Sequence, residues 1–189
     1  MNRLIALDTE TTGLKPEQGH RIIEIGLVEI IGNTTGNAFS MQINPQRDID
    51  PGAQAVHGIS IEQLRDKPTF GDIAEAFLGL IEDTTLIIHN APFDVGFLDA
   101  ELTRLGPQWG RISDYCSIIC TREIARKKLP CREIWHLNDL CDRYGIDRSQ
   151  RQTHSALLDA NLLAEVWRRL SADAKVWGAS LRASQPKAT

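Results

Sequence analysis

The 189-residue sequence lacks a long apolar run. None of its hydrophobic stretches approaches the ~20 residues that a helix needs to cross a bilayer. The sequence opens on a strand-like segment and shows no secretory signal pattern, so we expect a cytoplasmic protein with no membrane partner. With 42% hydrophobic and 24% charged residues, the composition is ordinary for a globular chain, and the length predicts one domain.

Cysteine is scarce, and the four that occur form no paired C-x-x-C motif of the kind that binds zinc. They are Cys116, Cys120, Cys131 and Cys141. Cys116 and Cys120, with His136 nearby, are the one set that could in principle bind a metal through sulfur. We expect reduced, partly buried thiols instead, which is the usual state of cysteine in a cytoplasmic protein.

An excess of positive charge is also missing, because 25 acidic residues outnumber 21 Lys and Arg and give a formal net charge of -4. This balance argues against a protein that coats nucleic acid through bulk positive charge. It does not exclude a site that holds one strand end, since bound metal ions change the local field. We also find no internal repeat and no low-complexity tract.

What the sequence does contain is a short apolar run at residues 4–7, followed at once by Asp8 and Glu10. Residues i and i+2 of a strand point to the same side, so both acids would lie together at the end of a buried strand. Each would raise the other's pKa unless a cation lay between them, and hard divalent ions such as Mg²⁺ favour oxygen ligands. The alternative is an exposed strand end with two solvated acids.

The apolar patterns along the rest of the chain predict three meandering strands and then alternating helices and strands. Strands are predicted at 21–31, 37–44, 85–89 and 112–119, after the opening one, and 45–58 is predicted as a long loop. Helices are predicted to begin near Ser60, Thr69 and Asn90, to follow residue 120, and to span 137–144 and 155–170. This order predicts an α/β fold, a mixed sheet with helices against it. We assign residues 1–171 to one domain and 172–189 to a flexible tail.

Three further side chains stand where apolar elements begin or end. Asp94 starts a helix after a buried strand, Asp159 lies in the first turns of the last helix, and His154 precedes that helix. The positive end of a helix dipole favours an acid, and histidine is the side chain most easily poised to take a proton near neutral pH. Taken singly, each has an ordinary explanation as a helix-start acid, a solvated acid or a surface histidine.

Taken together, these segments resemble the three exonuclease motifs of the DnaQ-like superfamily, whose DEDDh branch is named for four acids and a histidine. The segments are DTETTGL at 8–14, HNAPFD at 89–94 and HSALLDA at 154–160. The resemblance covers residues 3–170 and extends in particular to the family of epsilon proofreading subunits of bacterial DNA polymerase III. It implies an RNase H-like exonuclease fold, in which a mixed five-stranded sheet with an antiparallel second strand is flanked by helices.

The resemblance also implies two divalent metal ions, Mg²⁺ or Mn²⁺, and a role for each matching residue. Asp8 would bridge both ions, and Glu10 and Asp159 would hold the ion that activates water. Asp94 would serve the second ion, directly or through water, and His154 would be the general base. Two such ions lower the pKa of water and stabilise the charge that develops at phosphorus and on the leaving oxygen.

Seven residues are assigned to the substrate. They are Thr9, Thr11, Gly13, Leu14, His57, Asn90 and Phe93. Gly13 would allow close backbone approach and Leu14 would pack on a base. His57 lies in VHGI at 56–59, similar to a nucleotide-lining segment of the epsilon family, although a loop histidine is usually solvated. Phe93 would stack on a base or belong to the core.

Two features bear on the nature of the nucleic acid. Gly52 stands where related proofreading subunits often carry an acid near the sugar, which puts that contact in doubt. A basic cluster could contact phosphates upstream of the cleaved bond, or could be a solvated helix face. The cluster consists of Arg122, Arg126, Lys127, Lys128 and Arg132. Trp135 and Trp167 are interpreted as packing residues.

The sequence thus predicts a proofreading exonuclease that removes 3′-terminal nucleotides from single-stranded or frayed DNA as 5′-monophosphates. One alternative is an RNA 3′-exonuclease resembling RNase T, which the departure at Gly52 keeps open. Another is a non-catalytic module that binds nucleic-acid ends or a polymerase. The resemblance implies the catalytic subunit of polymerase III and the sliding clamp as partners, although residues 172–189 offer no version of the usual polymerase-binding segment.

Overall fold

A mixed five-stranded sheet forms the centre of the molecule, with the strand order β3-β2-β1-β4-β5. The computed structural model describes residues 3–129, 134–151 and 153–173. The strands are β1 (Arg3–Thr11), β2 (Ile22–Ile31), β3 (Thr34–Gln42), β4 (Thr84–Ile88) and β5 (Ser117–Cys120). β2 runs antiparallel to β1 and β3, whereas β4 runs parallel to β1 and β5. The predicted mixed sheet with an antiparallel second strand is confirmed.

Seven α-helices accompany the sheet in the described part of the chain. They are α1 (Pro51–His57), α2 (Ile61–Leu64), α3 (Phe70–Ile81), α4 (Ala91–Leu105), α5 (Thr121–Lys128), α6 (Leu137–Tyr144) and α7 (Ala156–Ala172). The predicted helices after Ser60 and Thr69, and those at 137–144 and 155–170, are confirmed in type and nearly in extent. Among these residues no helix has the length and apolar character needed to cross a membrane.

Helices cover both faces of the sheet, because the central strands are apolar on both sides. Ile5 and Leu7 of β1 join a core with α3 and α4, whereas Ala6 joins a second core with α5, α6 and α7. The residues of β4 alternate in the same way, with Leu86 in the core with α3 and α4 and Ile87 in the core with α5, α6 and α7. Successive strand residues point to opposite faces, so one short apolar strand serves two layers.

The predicted loop at 45–58 is wrong, because its second half forms helix α1. Pro51 is the first helical residue, a position where its fixed φ is favourable and its missing N–H costs nothing. Gly58 ends the helix at φ 74, a left-handed conformation, and its N–H donates to the carbonyl of Gln54 at 2.7 Å. The Pro-Gly pair therefore marks a helix start in this segment.

Two predicted strands differ in extent from those observed. β5 covers only Ser117–Cys120, because Ile112–Asp114 forms a 3₁₀ turn closed by a 2.8 Å bond from the Arg111 N–H to Asp114. β3 is Thr34–Gln42, displaced toward the tight turn at Gly32, so the predicted end at residue 44 is too late.

Some predictions concern residues that the structure does not describe. Cys131, Arg132 and residues 174–189, nearly the whole of the predicted tail, lie outside the described ranges. Cys116, Cys120 and Cys141 are free thiols, in agreement with the expected reduced state. Within the described ranges, neither Cys116 nor Cys120 joins His136 in a group compact enough to hold a metal.

Candidate active site

The candidate site lies where β1 and β4 end side by side at the middle of the sheet. β1 runs past the apolar residues and carries Asp8 and Glu10, paired with Gly26 and Glu24 of β2. The parallel neighbour β4 ends at Ile88, and the chain then turns into α4. Asp94 in the first turn of α4 and Asp159 in the first turn of α7 come to this same edge.

A cavity of about 890 Å³ opens at this edge, and all twelve residues predicted for the site line it. Its walls include the five predicted catalytic residues Asp8, Glu10, Asp94, His154 and Asp159. They also include the seven predicted substrate contacts Thr9, Thr11, Gly13, Leu14, His57, Asn90 and Phe93. Segments far apart in sequence therefore line one cavity.

Asp94 is buried, with 3% of its surface exposed, and β1 holds it in place. The backbone N–H of Thr9 and its hydroxyl donate to one Asp94 oxygen, at 3.1 and 2.8 Å. Burial raises the pKa of Asp94 to about 7, although the bonds from Thr9 act in the opposite direction. The hydroxyl of Thr9 is engaged in fixing the start of α4.

Asp8 and Glu10 are carboxyls that resist ionisation. Burial raises the pKa of Asp8 well above its usual range, and the charges of Asp94, Asp159 and Glu10 add to that effect. Burial, followed by the charges of Asp159 and Glu24, raises the pKa of Glu10 to about 8. Oε1 of Glu10 is buried and has no hydrogen-bond partner among the described residues. Such carboxyls are stabilised by a bound cation.

Asp159 differs from them because the side chains of Arg151 and His154 contact it. Arg151 donates through Nε to one oxygen at 2.5 Å and through a terminal nitrogen to the other at 2.6 Å. Nδ1 of His154 lies 3.2 Å from Asp159. Burial would raise the pKa of Asp159, but the bonds from His154 and Arg151 and the charge of Arg151 hold it below the ordinary value.

The donor set fits a hard divalent ion. Glu10, His154 and Asp159 each offer one ligand atom, and these atoms all lie within 4.8 Å of one another. Buried carboxylate oxygens, one of them unpartnered, are the ligands that Mg²⁺ and Mn²⁺ prefer. The structure places His154 beside the acids, with its backbone N–H donating to the Val56 carbonyl of α1 at 3.1 Å.

The rim of the cavity differs in detail from the prediction. Leu14 is 78% exposed, as a residue that packs on a ligand requires. Gly13 is needed for a reason inside the protein, because a Cβ there would lie 2.3 Å from the ring of His20. The Thr11 hydroxyl donates to the Gly13 carbonyl at 2.7 Å and closes the turn.

Three other predicted substrate contacts have partners within the protein. His57 is buried and is the last residue of α1. Its Nδ1 accepts a hydrogen bond from the Ile59 N–H at 3.0 Å, whereas its Nε2 has no partner among the described residues. Asn90, at φ 66, accepts from Arg122 at 2.8 Å. The Phe93 ring lies 5.0 Å from that of Phe97, so Phe93 belongs to the core and the cavity wall at once.

Sequence reasoning missed several cavity residues, above all Arg151. Trp135, His136 and Asn138 also line the cavity, and Trp135 is both buried and part of this wall. Arg122, from the basic cluster for which phosphate contacts were predicted, lines the cavity as well. Arg151 precedes His154 by three residues, and that proximity was the only available signal. The contacts of Arg151 with Asn138 and Asp159 form only in the folded chain, so no pattern of acids and histidine in the sequence indicates them.

Comparisons with known proteins identify relatives of this chain. The exonuclease family model RNase T matches residues 5–167. DNA polymerase III subunit epsilon of Rickettsia felis is 49% identical over 170 residues, which cover 89% of this chain and 74% of that protein. The subunit of the same name from Escherichia coli K12 is 45% identical over 172 residues, covering 88% and 70%.

Solved structures show the same fold. The nuclease domain of 3'hExo, a DEDDh family member bound to rAMP, superposes with a TM-score of 0.77 at 17% identity, covering 92% of this chain and 93% of that one. Exonuclease X in complex with 5′ overhanging duplex DNA gives a TM-score of 0.70 at 26% identity, covering 89% and 90%.

Proposed function

This chain belongs to the RNase T exonuclease family and, within it, to the DNA polymerase III epsilon subunits, and we propose that it removes nucleotides one at a time from the 3′ ends of DNA in a proofreading role. One observation carries the proposal: four acids and a histidine from three distant segments line a single cavity at the end of the central strand. A protein that only bound nucleic acid would not need several buried carboxyl groups close together in one cavity.

DEDDh exonucleases use divalent metal ions, and we propose two of them here, Mg²⁺ or Mn²⁺. Asp8 would contact both ions, Glu10 and Asp159 the ion nearer the water, and Asp94 the other, directly or through water. When bound, the ions would supply a water of lowered pKa and stabilise the charge that develops at phosphorus and on the leaving 3′-oxygen. The raised pKa values of Asp8 and Glu10 support a cation at this place.

His154 would act as the general base. Its Nδ1 faces Arg151 at 2.9 Å and Asp159 at 3.2 Å, so Nε2 is the nitrogen available to receive a proton from water. A base in this position contributes about 10²–10⁴-fold to a reaction of this type.

The terminal nucleotide would lie between two rims. The segment from Thr11 to Leu14 and the end of α1 with His57 form one side, and Asn90 and Phe93 form the other. Exposed Leu14 and the Phe93 ring would contact bases, since stacking and packing tolerate any base. That tolerance suits an enzyme that must remove whichever nucleotide is mispaired.

We also propose protein partners and a cellular location for this chain. The name shared by the relatives supports association with the catalytic subunit of a replicative DNA polymerase, and we add the sliding clamp and a cytoplasmic location. A tagged form of the chain should retain the polymerase subunit in a pull-down with purified components.

RNA 3′ ends are the second candidate substrate, and Gly52 favours them. Gly52 lines the cavity, and a Cβ at this position would meet nothing within 4 Å. The wall is therefore open at position 52 itself, although Asp50 lines the cavity two residues earlier. A site of this shape has room for an additional hydroxyl group, the feature that distinguishes RNA from DNA.

The decisive assay uses 5′-labelled single-stranded DNA and RNA oligonucleotides of matched sequence, with Mg²⁺ or with EDTA. We expect stepwise shortening from the 3′ end with Mg²⁺, faster on DNA, and none with EDTA. Asp8→Asn should lose about 1000-fold or more in activity, because several kcal/mol of transition-state stabilisation depend on the metal ligands.

Asp66→Asn is the matched control, since Asp66 is exposed and outside the cavity, and it should keep full activity. Shortening that survives EDTA, or that Asp8→Asn retains, would contradict the proposal. Faster shortening of RNA would select the second candidate.

A further inference from the structure

Arg151 is the cation closest to the proposed metal ligands. Its side chain is only 10% exposed, it donates to both oxygens of Asp159 and to Oδ1 of Asn138 at 2.8 Å, and one of its terminal nitrogens lies 2.9 Å from Nδ1 of His154. A bidentate pair, in which one guanidinium donates to both oxygens of a carboxylate, is among the stronger polar contacts in proteins. Arg151 is thus built into the cavity wall.

The charge of Arg151 reaches the other acids as well. It lowers the pKa values of Asp8 and Glu10, against the larger effect of burial. Arg151 therefore balances part of the negative charge of the group.

The contacts of Arg151 overlap with those that a divalent ion would use. Asp159 and His154 belong, with Glu10, to the only compact ligand group in the described part of the chain. Both oxygens of Asp159 accept from Arg151. An ion on the same carboxylate would be repelled by the positive charge of the guanidinium already bonded to that carboxylate.

We propose that Arg151 is a built-in counter-ion that competes with the divalent ion for Asp159 and so sets the metal affinity of the site. The inference rests on the proposed function, because it concerns the same metal ligands. When the ion binds, the guanidinium of Arg151 moves away from Asp159. Its existing bond to Oδ1 of Asn138, on α6, is kept. The same movement takes the guanidinium away from Nδ1 of His154.

A purely structural role predicts the opposite behaviour. If Arg151 only positioned Asp159 as a ligand, its removal would loosen the carboxylate and weaken metal binding. If Arg151 competes with the ion, its removal strengthens metal binding while the protein without added metal becomes less stable. Metal affinity therefore separates the two roles, which loss of activity alone would not do.

The test is titration of Mn²⁺ into the full chain by calorimetry, with thermal unfolding in EDTA and in Mn²⁺. Arg151→Gln should bind Mn²⁺ about tenfold more tightly than the wild type, a change of about 1.4 kcal/mol. Its melting temperature should be lower in EDTA and should rise more on addition of Mn²⁺. Arg151→Lys keeps the charge but loses the paired geometry, so its affinity should be intermediate.

Arg148→Gln is the matched control, because Arg148 lies on the same loop but pairs with exposed Asp142. Its affinity for Mn²⁺ should equal that of the wild type. Equal or weaker binding by Arg151→Gln overturns the inference, and if that variant does not fold, the same result for Arg151→Lys does so. In either case wild-type Mn²⁺ binding leaves the proposed function standing, whereas its absence overturns both.

Discussion

At the scale of single residues, Glu10 and Asp159 share one cavity but have opposite tendencies to ionise. Burial and neighbouring acids raise the pKa of Glu10 to about 8. Asp159 is buried too, but its bonds with His154 and Arg151 lower its pKa. The difference comes from the bonds that Asp159 makes with these two side chains, and the bond with Arg151 is one that no motif in the sequence reports.

Glu10 gives a prediction about pH. Its pKa rises from 4.5 to about 8 on folding, so the native state binds the proton more tightly than the unfolded chain. The stabilisation this provides is complete below pH 4.5 and is lost as the pH rises through about 8. In EDTA, the free energy of unfolding should therefore fall as the pH rises from 4.5 to about 8, and Mn²⁺ should restore more of it at the higher pH.

Glu10→Gln isolates this effect, since glutamine has nearly the same shape and does not titrate. Urea unfolding of both proteins across the pH range should give a shallower decline for the variant. Parallel declines would show that Glu10 does not hold its proton in the folded state.

At the scale of elements, the packing of α7 against β2 determines the position of Asp159. Gly26 pairs with Asp8 across the two strands, and a Cβ on it would lie 2.3 Å from the backbone of Ala156 at the start of α7. Glu24 completes the contact by accepting from the Ala156 N–H at 3.0 Å. The helix can approach this closely only because position 26 carries no side chain.

Gly26→Ala should therefore push the first turn of α7 away from the sheet. We expect a loss of about 1–3 kcal/mol in the free energy of unfolding, the usual cost of overpacking, together with weaker Mn²⁺ binding. Chemical unfolding and calorimetry measure the two effects.

Gly79→Ala in α3 is the control, because a Cβ there meets nothing within 4 Å. It should leave metal binding unchanged and stabilise the protein by about 0.5–1 kcal/mol, the gain expected for alanine in a helix. Wild-type stability and metal affinity in Gly26→Ala would mean that this contact does not position Asp159.

Most elements follow from local pattern, and the exceptions have identifiable causes. The 137–144 helix is recovered because apolar spacing and Gly145 mark it fully. Helix α1 is missed because Pro51-Gly52 is typical of both a loop and a helix start. The first part of the predicted fifth strand is lost to a turn capped by Asp114, since a side-chain bond outweighs the apolar pattern there.

The candidate site divides along similar lines. The acids and His154 stand in recognisable segments, so their convergence in one cavity could be anticipated. The reasons for Gly13 and Gly26 lie in His20 and Ala156, which approach them only in the folded chain. Arg151 escaped notice for the same reason, since its partners come from α6, α7 and the loop before α7.

At the scale of the whole molecule, the site is a meeting point of the two layers that cover the sheet. Asp94 arrives on α4, which packs in the core on one face, and Asp159 arrives on α7, which packs on the other. β1 lies between them and contributes Asp8 and Glu10 from its own end. The fold thus gathers acids from both faces without a dedicated metal-binding loop.

A crystal structure of the chain with Mn²⁺ and a nucleoside 5′-monophosphate, with the ions located by anomalous scattering, would show directly whether the four acids hold metal. We predict two Mn²⁺ peaks about 3.5–4 Å apart, bound by Asp8, Glu10, Asp94 and Asp159, with the phosphate of the nucleotide on both. A map with no anomalous peak among these four carboxylates, under conditions in which the protein degrades 3′ ends, would contradict the account.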